Sequence, residues 1–137
     1  MAILQGVTLV DLRKFADSRG KLSTIEELRD IPFKIKRTYW IYDVPGGETR
    51  GGHAYKDNQE FIVALSGSFD VVLDDGNDKK VFSLNRSYCG LYVPKGIWRV
   101  MENFSTNSLA LVLSSTDFDV DDYIRDHDEF VKYIEQK

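Results

Sequence analysis

Apolar residues along the chain fall in short runs separated by turn chemistry. Ile35 to Tyr42 mixes aromatic and β-branched residues and stops at Asp43-Val44-Pro45-Gly46-Gly47. Phe61 to Leu65 is closed by Ser66-Gly67-Ser68, and Phe69 to Leu73 by Asp74-Asp75-Gly76-Asn77. The last of these is a strong hairpin signal, because Asp and Gly tolerate positive φ. Val81 to Leu84, Gly90 to Val93 and Leu109 to Leu113 continue the series. Turn signals recurring at intervals of about ten residues predict an all-β sandwich or barrel. Two segments read as helical instead. Thr24 to Leu28, ahead of Ile31-Pro32, is a weak one. From Val120 to Lys137, the residues Tyr123, Ile124, His127, Phe130, Val131 and Ile134 recur at spacings of three and four, one face of a C-terminal helix. Asp119, Asp121 and Asp122 favour the start of that helix and Lys137 its end.

With 137 residues, the chain is expected to form one domain spanning residues 1–137. Its 42% hydrophobic and 29% charged residues exclude a disordered chain. Eighteen Lys plus Arg stand against 22 Asp plus Glu, a net charge of −4, so a nucleic-acid partner is not expected. Cys89 is the single cysteine, which rules out an intrachain disulfide and fits a reducing compartment. Ala2-Ile3-Leu4 passes at once into Gln5-Gly6, unlike a signal peptide, and no apolar run approaches the ~20 residues that span a bilayer. A cytoplasmic protein without a membrane partner is expected.

The candidate chemistry lies between Gly47 and Asn103. Gly47, His53, Tyr55, Glu60 and Gly67 are spaced G-x5-H-x-Y-x4-E-x6-G, and Pro94 to Asn103 reads P-x-G-x2-R-x3-N. Alternation along a strand puts His53 and Tyr55 on one face. The two stretches resemble the paired motifs of the cupins, with Tyr55 and Arg99 where a metal-binding cupin has histidines. The resemblance implies a cupin-type jelly-roll β-barrel whose pocket carries His53, Tyr55, Glu60 and Arg99. Arg99 has no lone pair to offer a metal. His53 and Glu60 are two good ligands, and a phenol that must first lose its proton is a poor third, so no metal and no cofactor is expected.

Further blocks sharpen the resemblance. Asp17-Ser18-Arg19-Gly20, Ile31-Pro32-Phe33-Lys34-Ile35-Lys36-Arg37, Arg50 to Lys56, Val72 to Gly76, Gly90 to Val93 and Asp122-Tyr123-Ile124-Arg125 look like the nucleoside-diphosphate-sugar 3,4-ketoisomerases, the WxcM-like or FdtA-like family. That resemblance implies a metal-free homodimer. Its substrate is a dTDP-linked 4-keto-6-deoxy sugar, whose ketone moves from C4 to C3 on the way to deoxyamino sugars of surface polysaccharides.

Such a reaction needs a base for the C3 proton, and a neutral imidazole suits it. His53, the one histidine on a motif position, is the expected base. Tyr55 stands where the family usually has a second His, and is expected as an acid or as a hydrogen-bond donor to the developing oxyanion. Arg99 can stabilise the enediolate or hold the sugar. Arg19, Arg37 and Arg50 are candidates for the diphosphate, because guanidinium forks match phosphate oxygens. Tyr39 and Trp98 are candidates for stacking on the thymine or the pyranose, with Glu60 completing the substrate site. Two alternatives stay open. One is a 3,5-epimerase of the same substrate; the other is a non-catalytic sugar-nucleotide-binding cupin. Asp117, Asp119 and Asp121 mimic the start of a calcium loop, but Asp122 stands where the loop needs Gly and Asp128 where it needs Glu, so helix capping is the expected role.

Overall fold

The computed structural model describes residues 4–137. Eleven longer strands come first: β1 (Thr8–Asp11), β2 (Lys14–Asp17), β3 (Gly20–Ser23), β4 (Arg37–Tyr42), β5 (Arg50–Tyr55), β6 (Glu60–Ser66), β7 (Phe69–Asp74), β8 (Lys79–Leu84), β9 (Cys89–Val93), β10 (Trp98–Glu102) and β11 (Leu109–Ser114). A 3-10 turn (Val120–Asp122), a short strand β12 (Tyr123–Ile124) and one helix α1 (His127–Glu135) complete the order. The strands form two five-stranded sheets, β1-β9-β6-β11-β4 and β12-β5-β10-β7-β8, and a separate β2-β3 hairpin. Every strand pairing is antiparallel. This is the all-β, cupin-like fold with a C-terminal helix that the turn spacing and the paired motifs predict.

Alternation along the strands builds the interior. Ile62 and Ala64 of β6, Val71 and Leu73 of β7, Leu91 and Val93 of β9, Met101 of β10, and Ala110 and Val112 of β11 meet between the sheets. The opposite parity of β6, Phe61 and Val63, turns outward and packs with Leu12, Ile31, Phe33 and Leu113. Gly90 is required there, because a Cβ would run into the Phe61 ring. The Asp74–Asn77 signal closes the β7-β8 hairpin: Gly76 has φ +98 and its amide donates to Asp74 Oδ1 at 2.8 Å.

Two helical expectations differ from the structure. Thr24 to Leu28 is irregular, with one isolated bridge from Glu27 to Ile31, and Leu28 has φ +62, which no α-helix contains. The C-terminal helix begins at His127, seven residues after Val120. Asp122 decides this: its carboxylate accepts from the amides of Asp57 (2.7 Å) and Asn58 (3.1 Å), tying the chain to the end of β5. Tyr123 and Ile124 then pair with Tyr55 and Ala54 instead of continuing a helix. Asp119 does cap, but it caps the 3-10 turn, accepting from the Asp121 amide. Phe130 of α1 is fully buried against Ala54 and Ile124, on the outside of the second sheet. Among the described residues no helix is long and apolar enough to cross a membrane.

Candidate active site

The interior-facing positions at one end of the barrel carry polar groups in place of the apolar core. On β10 the parity that buries Met101 also buries Arg99, 2% exposed. Arg99 lies directly across from His53 in the β10-β5 pairing, where the register then slips by one residue. Gly51 makes this possible. Its φ is +78, and a Cβ there would collide with Arg99 Nη1 and press on the His53 ring.

Arg99 is neutralised by Glu60 at the start of β6. Its Nε donates to Glu60 Oε1 at 2.5 Å and its Nη2 to Oε2 at 3.3 Å. Nη2 also donates to the Tyr39 hydroxyl at 2.8 Å, and Tyr39 in turn donates to Glu60 Oε2 at 2.5 Å. The Tyr55 hydroxyl donates to the same oxygen at 3.2 Å. A buried ion pair survives only when its remaining lone pairs and protons are satisfied, and here Glu60 is saturated. Its carboxylate therefore has nothing left for a metal, which leaves His53 as the one good ligand. Arg99 Nη1 and His53 Nε2 are both buried with no hydrogen-bond partner among the described residues.

The electrostatics follow from burial. Desolvation, with Arg99, Arg125 and Arg37 adding positive charge, holds the His53 imidazole down to about 3. It is neutral at physiological pH. Desolvation and the Glu60 carboxylate push the Tyr55 phenol well above its ordinary value. Tyr39 is raised as well, first by desolvation. Burial works against the Arg99 cation, but Glu60 more than offsets it and keeps the guanidinium charged.

These groups open into a cavity of about 560 Å³, lined among others by Arg37, Tyr39, Arg50, His53, Tyr55 and Arg99. Six of the expected site residues thus share one wall system, with Glu60 beneath them. Two do not. Trp98 is next to Arg99 in sequence and so points through the opposite face of β10, where its ring lies 5.1 Å from His127 and 5.8 Å from Phe130. It packs the helix. Arg19 sits at the tip of the β2-β3 hairpin, 88% exposed and paired with Asp17 at 2.7 Å, away from the cavity of its own chain. The structure adds residues that sequence reasoning left out: Tyr123, Arg125 and Phe118 line the same cavity. The Asp122–Arg125 block holds Tyr123 and Arg125, but the helical spacing puts Tyr123 on a packing face, and Phe118 lies in no motif.

The chain matches the family described as FdtA: WxcM-like, C-terminal, over residues 5–135. It is 45% identical over 126 residues to TDP-4-oxo-6-deoxy-alpha-D-glucose-3,4-oxoisomerase of Aneurinibacillus thermoaerophilus, covering 92% of this chain and 91% of the relative. Among solved structures it is similar to a variant of the 3,4-ketoisomerase QdtA from Thermoanaerobacterium thermosaccharolyticum in complex with TDP-4-keto-6-deoxyglucose. That match has 35% identity and a TM-score of 0.95, covering 98% of each chain. A dTDP-4-dehydrorhamnose 3,5-epimerase from Bacillus anthracis is 16% identical with a TM-score of 0.78, over 90% of this chain and 79% of that one, a likeness of fold alone. Motifs, barrel and relatives agree, and the chain belongs to the FdtA, WxcM-like family.

Proposed function

We propose that this protein is a metal-independent 3,4-ketoisomerase of a dTDP-linked 4-keto-6-deoxyhexose, working as one domain over the whole chain. The observation that carries this reading is a neutral imidazole, His53, with an unpartnered Nε2, directly across the β5-β10 pairing from a buried, charge-neutralised Arg99 whose Nη1 is also unpartnered among the described residues. A base and an oxyanion donor side by side are what enolisation next to a ketone requires. His53 takes the proton at C3. Negative charge moves to O4, where Arg99 Nη1 can meet it. Reprotonation at C4, with loss of the O3 proton, leaves the ketone at C3. Arg37, Arg50 and Arg125 line the cavity and supply the charge that a diphosphate needs. The relatives named for this activity support the same reading, and the epimerase likeness is far weaker. A cytoplasmic enzyme feeding deoxyamino sugar synthesis for surface polysaccharides fits this chemistry.

A homodimer is part of the proposal. Between the outer side of the β1-β9-β6-β11-β4 sheet and the β2-β3 hairpin lies a largely apolar groove of about 640 Å³, lined among others by Leu22, Ile35, Val63, Leu65, Leu111 and Leu113. Among the described residues the β2-β3 hairpin pairs with no other strand, and it exposes Phe15 (54%) and Leu22 (57%). A second copy is a partner whose own groove and hairpin match these features.

The test of activity is incubation with dTDP-4-keto-6-deoxyglucose in heavy water, followed by NMR of the sugar. The expected product carries its ketone at C3 and deuterium at C4. Deuterium at C5 would move the assignment to epimerisation, and tight dTDP binding with no deuterium in the sugar would make the chain a binding protein.

A further inference from the structure

The tyrosine in the second motif position is poorly placed to give a proton to the sugar. Tyr55 is only 5% exposed, and its hydroxyl lies 3.2 Å from Glu60 Oε2, its nearer acceptor. Burial and that carboxylate both raise the cost of its phenolate. A second phenol stands in front of it. Tyr123 of β12 lines the cavity, its ring edge-on to His53 with centroids 5.0 Å apart, and its hydroxyl lies 3.4 Å from that of Tyr55. That separation is long for an O–H···O bond, so the Tyr123 proton is not firmly committed to the protein.

The chain also spends unusual effort on seating this ring. β12 is two residues long and pairs Tyr123 with Tyr55. Asp122 anchors it through the amides of Asp57 and Asn58. Arg125 covers the ring, its guanidinium 4.2 Å from the centroid, and Phe118 packs at 5.7 Å. A strand this short, tied down on both sides, fixes one side chain against the base.

We propose that Tyr123 is a catalytic residue of this enzyme, the acid that delivers the proton to C4. The proposal rests on the isomerase reading above. The protons balance within the pair His53 and Tyr123. His53 removes the C3 proton, forming the C3–C4 enediolate, and returns it to O4, giving the neutral enediol. The Tyr123 hydroxyl then gives its proton to C4, whose new C–H bond uses the electrons of the C3–C4 double bond. O3 supplies electrons to form the C3 ketone, and its proton goes to the Tyr123 oxygen. Base and acid both end as they began, with no oxidant, reductant or metal consumed.

The experiment is Tyr123→Phe, which keeps the ring, its stacking on His53 and its Arg125 cover. In heavy water with dTDP-4-keto-6-deoxyglucose, exchange at C3 and appearance of the 3-keto product are followed separately by NMR, and TDP affinity by calorimetry. Removing a general acid typically lowers the rate by about 10²–10⁴-fold. We expect product formation to fall at least a hundredfold, with C3 exchange within a few-fold of the unmutated enzyme and TDP affinity unchanged. Product formation at near the native rate, or a parallel fall of exchange and product, overturns the assignment. Native enzyme run alongside separates the two levels: if it moves no ketone, the isomerase reading fails; if it does and Tyr123→Phe does too, only the role of Tyr123 fails.

Discussion

His53 occupies a place that penalises its cation from several directions. It is 7% exposed, and three guanidinium groups contribute positive charge. In the free protein this guarantees the neutral base but makes it a weak one. A bound diphosphate beside Arg37 and Arg125 would offset two of the three charges and strengthen the imidazole only when substrate is present. The same burial has a consequence for stability. The unfolded chain takes up a proton at this histidine near its ordinary value of 6.5, while the folded chain does not until about 3. Stability contributed by the neutral, buried ring is therefore complete above 6.5 and declines as pH falls. The slope is about 1.4 kcal/mol per pH unit between those limits. In urea unfolding from pH 7 to 4.5, the stability of the native protein relative to His53→Asn should fall with a slope of this order. Equal pH dependence in the two proteins would contradict the burial argument.

At the scale of elements, what was legible depended on whether local pattern or a distant partner decided the structure. The β7-β8 hairpin is a local matter, and Asp74-Asp75-Gly76-Asn77 announces it. The alternation that joins His53 to Tyr55 is equally local, and so is the pairing of Arg99 with Met101 on the inner face. The same rule, carried one residue further, would have sent Trp98 outward; its aromatic character alone suggested a stacking role. β12 could not be read locally. Tyr123, Ile124 and Phe130 have helical spacing, but the carboxylate of Asp122 finds its donors at Asp57 and Asn58, more than sixty residues back. The cluster of Arg99, Glu60, Tyr39 and Tyr55 joins β4, β5, β6 and β10, so the motifs named its members without revealing how they bond. Glu60, expected to complete the substrate site, is the counter-charge of Arg99 beneath the cavity wall, and its hydrogen bonds to Arg99, Tyr39 and Tyr55 leave a cation few ligands.

The sheet whose inner face supplies Tyr39 and Glu60 carries the apolar groove on its outer face, so a partner seated there would brace the wall behind the site. We expect a dimer in light scattering at micromolar concentration, and Leu22→Asp with Leu65→Asp should give monomers. A monomeric native protein at that concentration would remove this part of the account. In the proposed reaction His53 is the base for the C3 proton of a dTDP-4-keto-6-deoxy sugar. Its most direct test is the rate at which the C3 proton of dTDP-4-keto-6-deoxyglucose exchanges with heavy water in His53→Asn, with TDP affinity measured on the same sample. With His53 as the base, exchange should fall by at least about a hundredfold, with TDP affinity unchanged. C3 exchange at near the native rate in His53→Asn would contradict it.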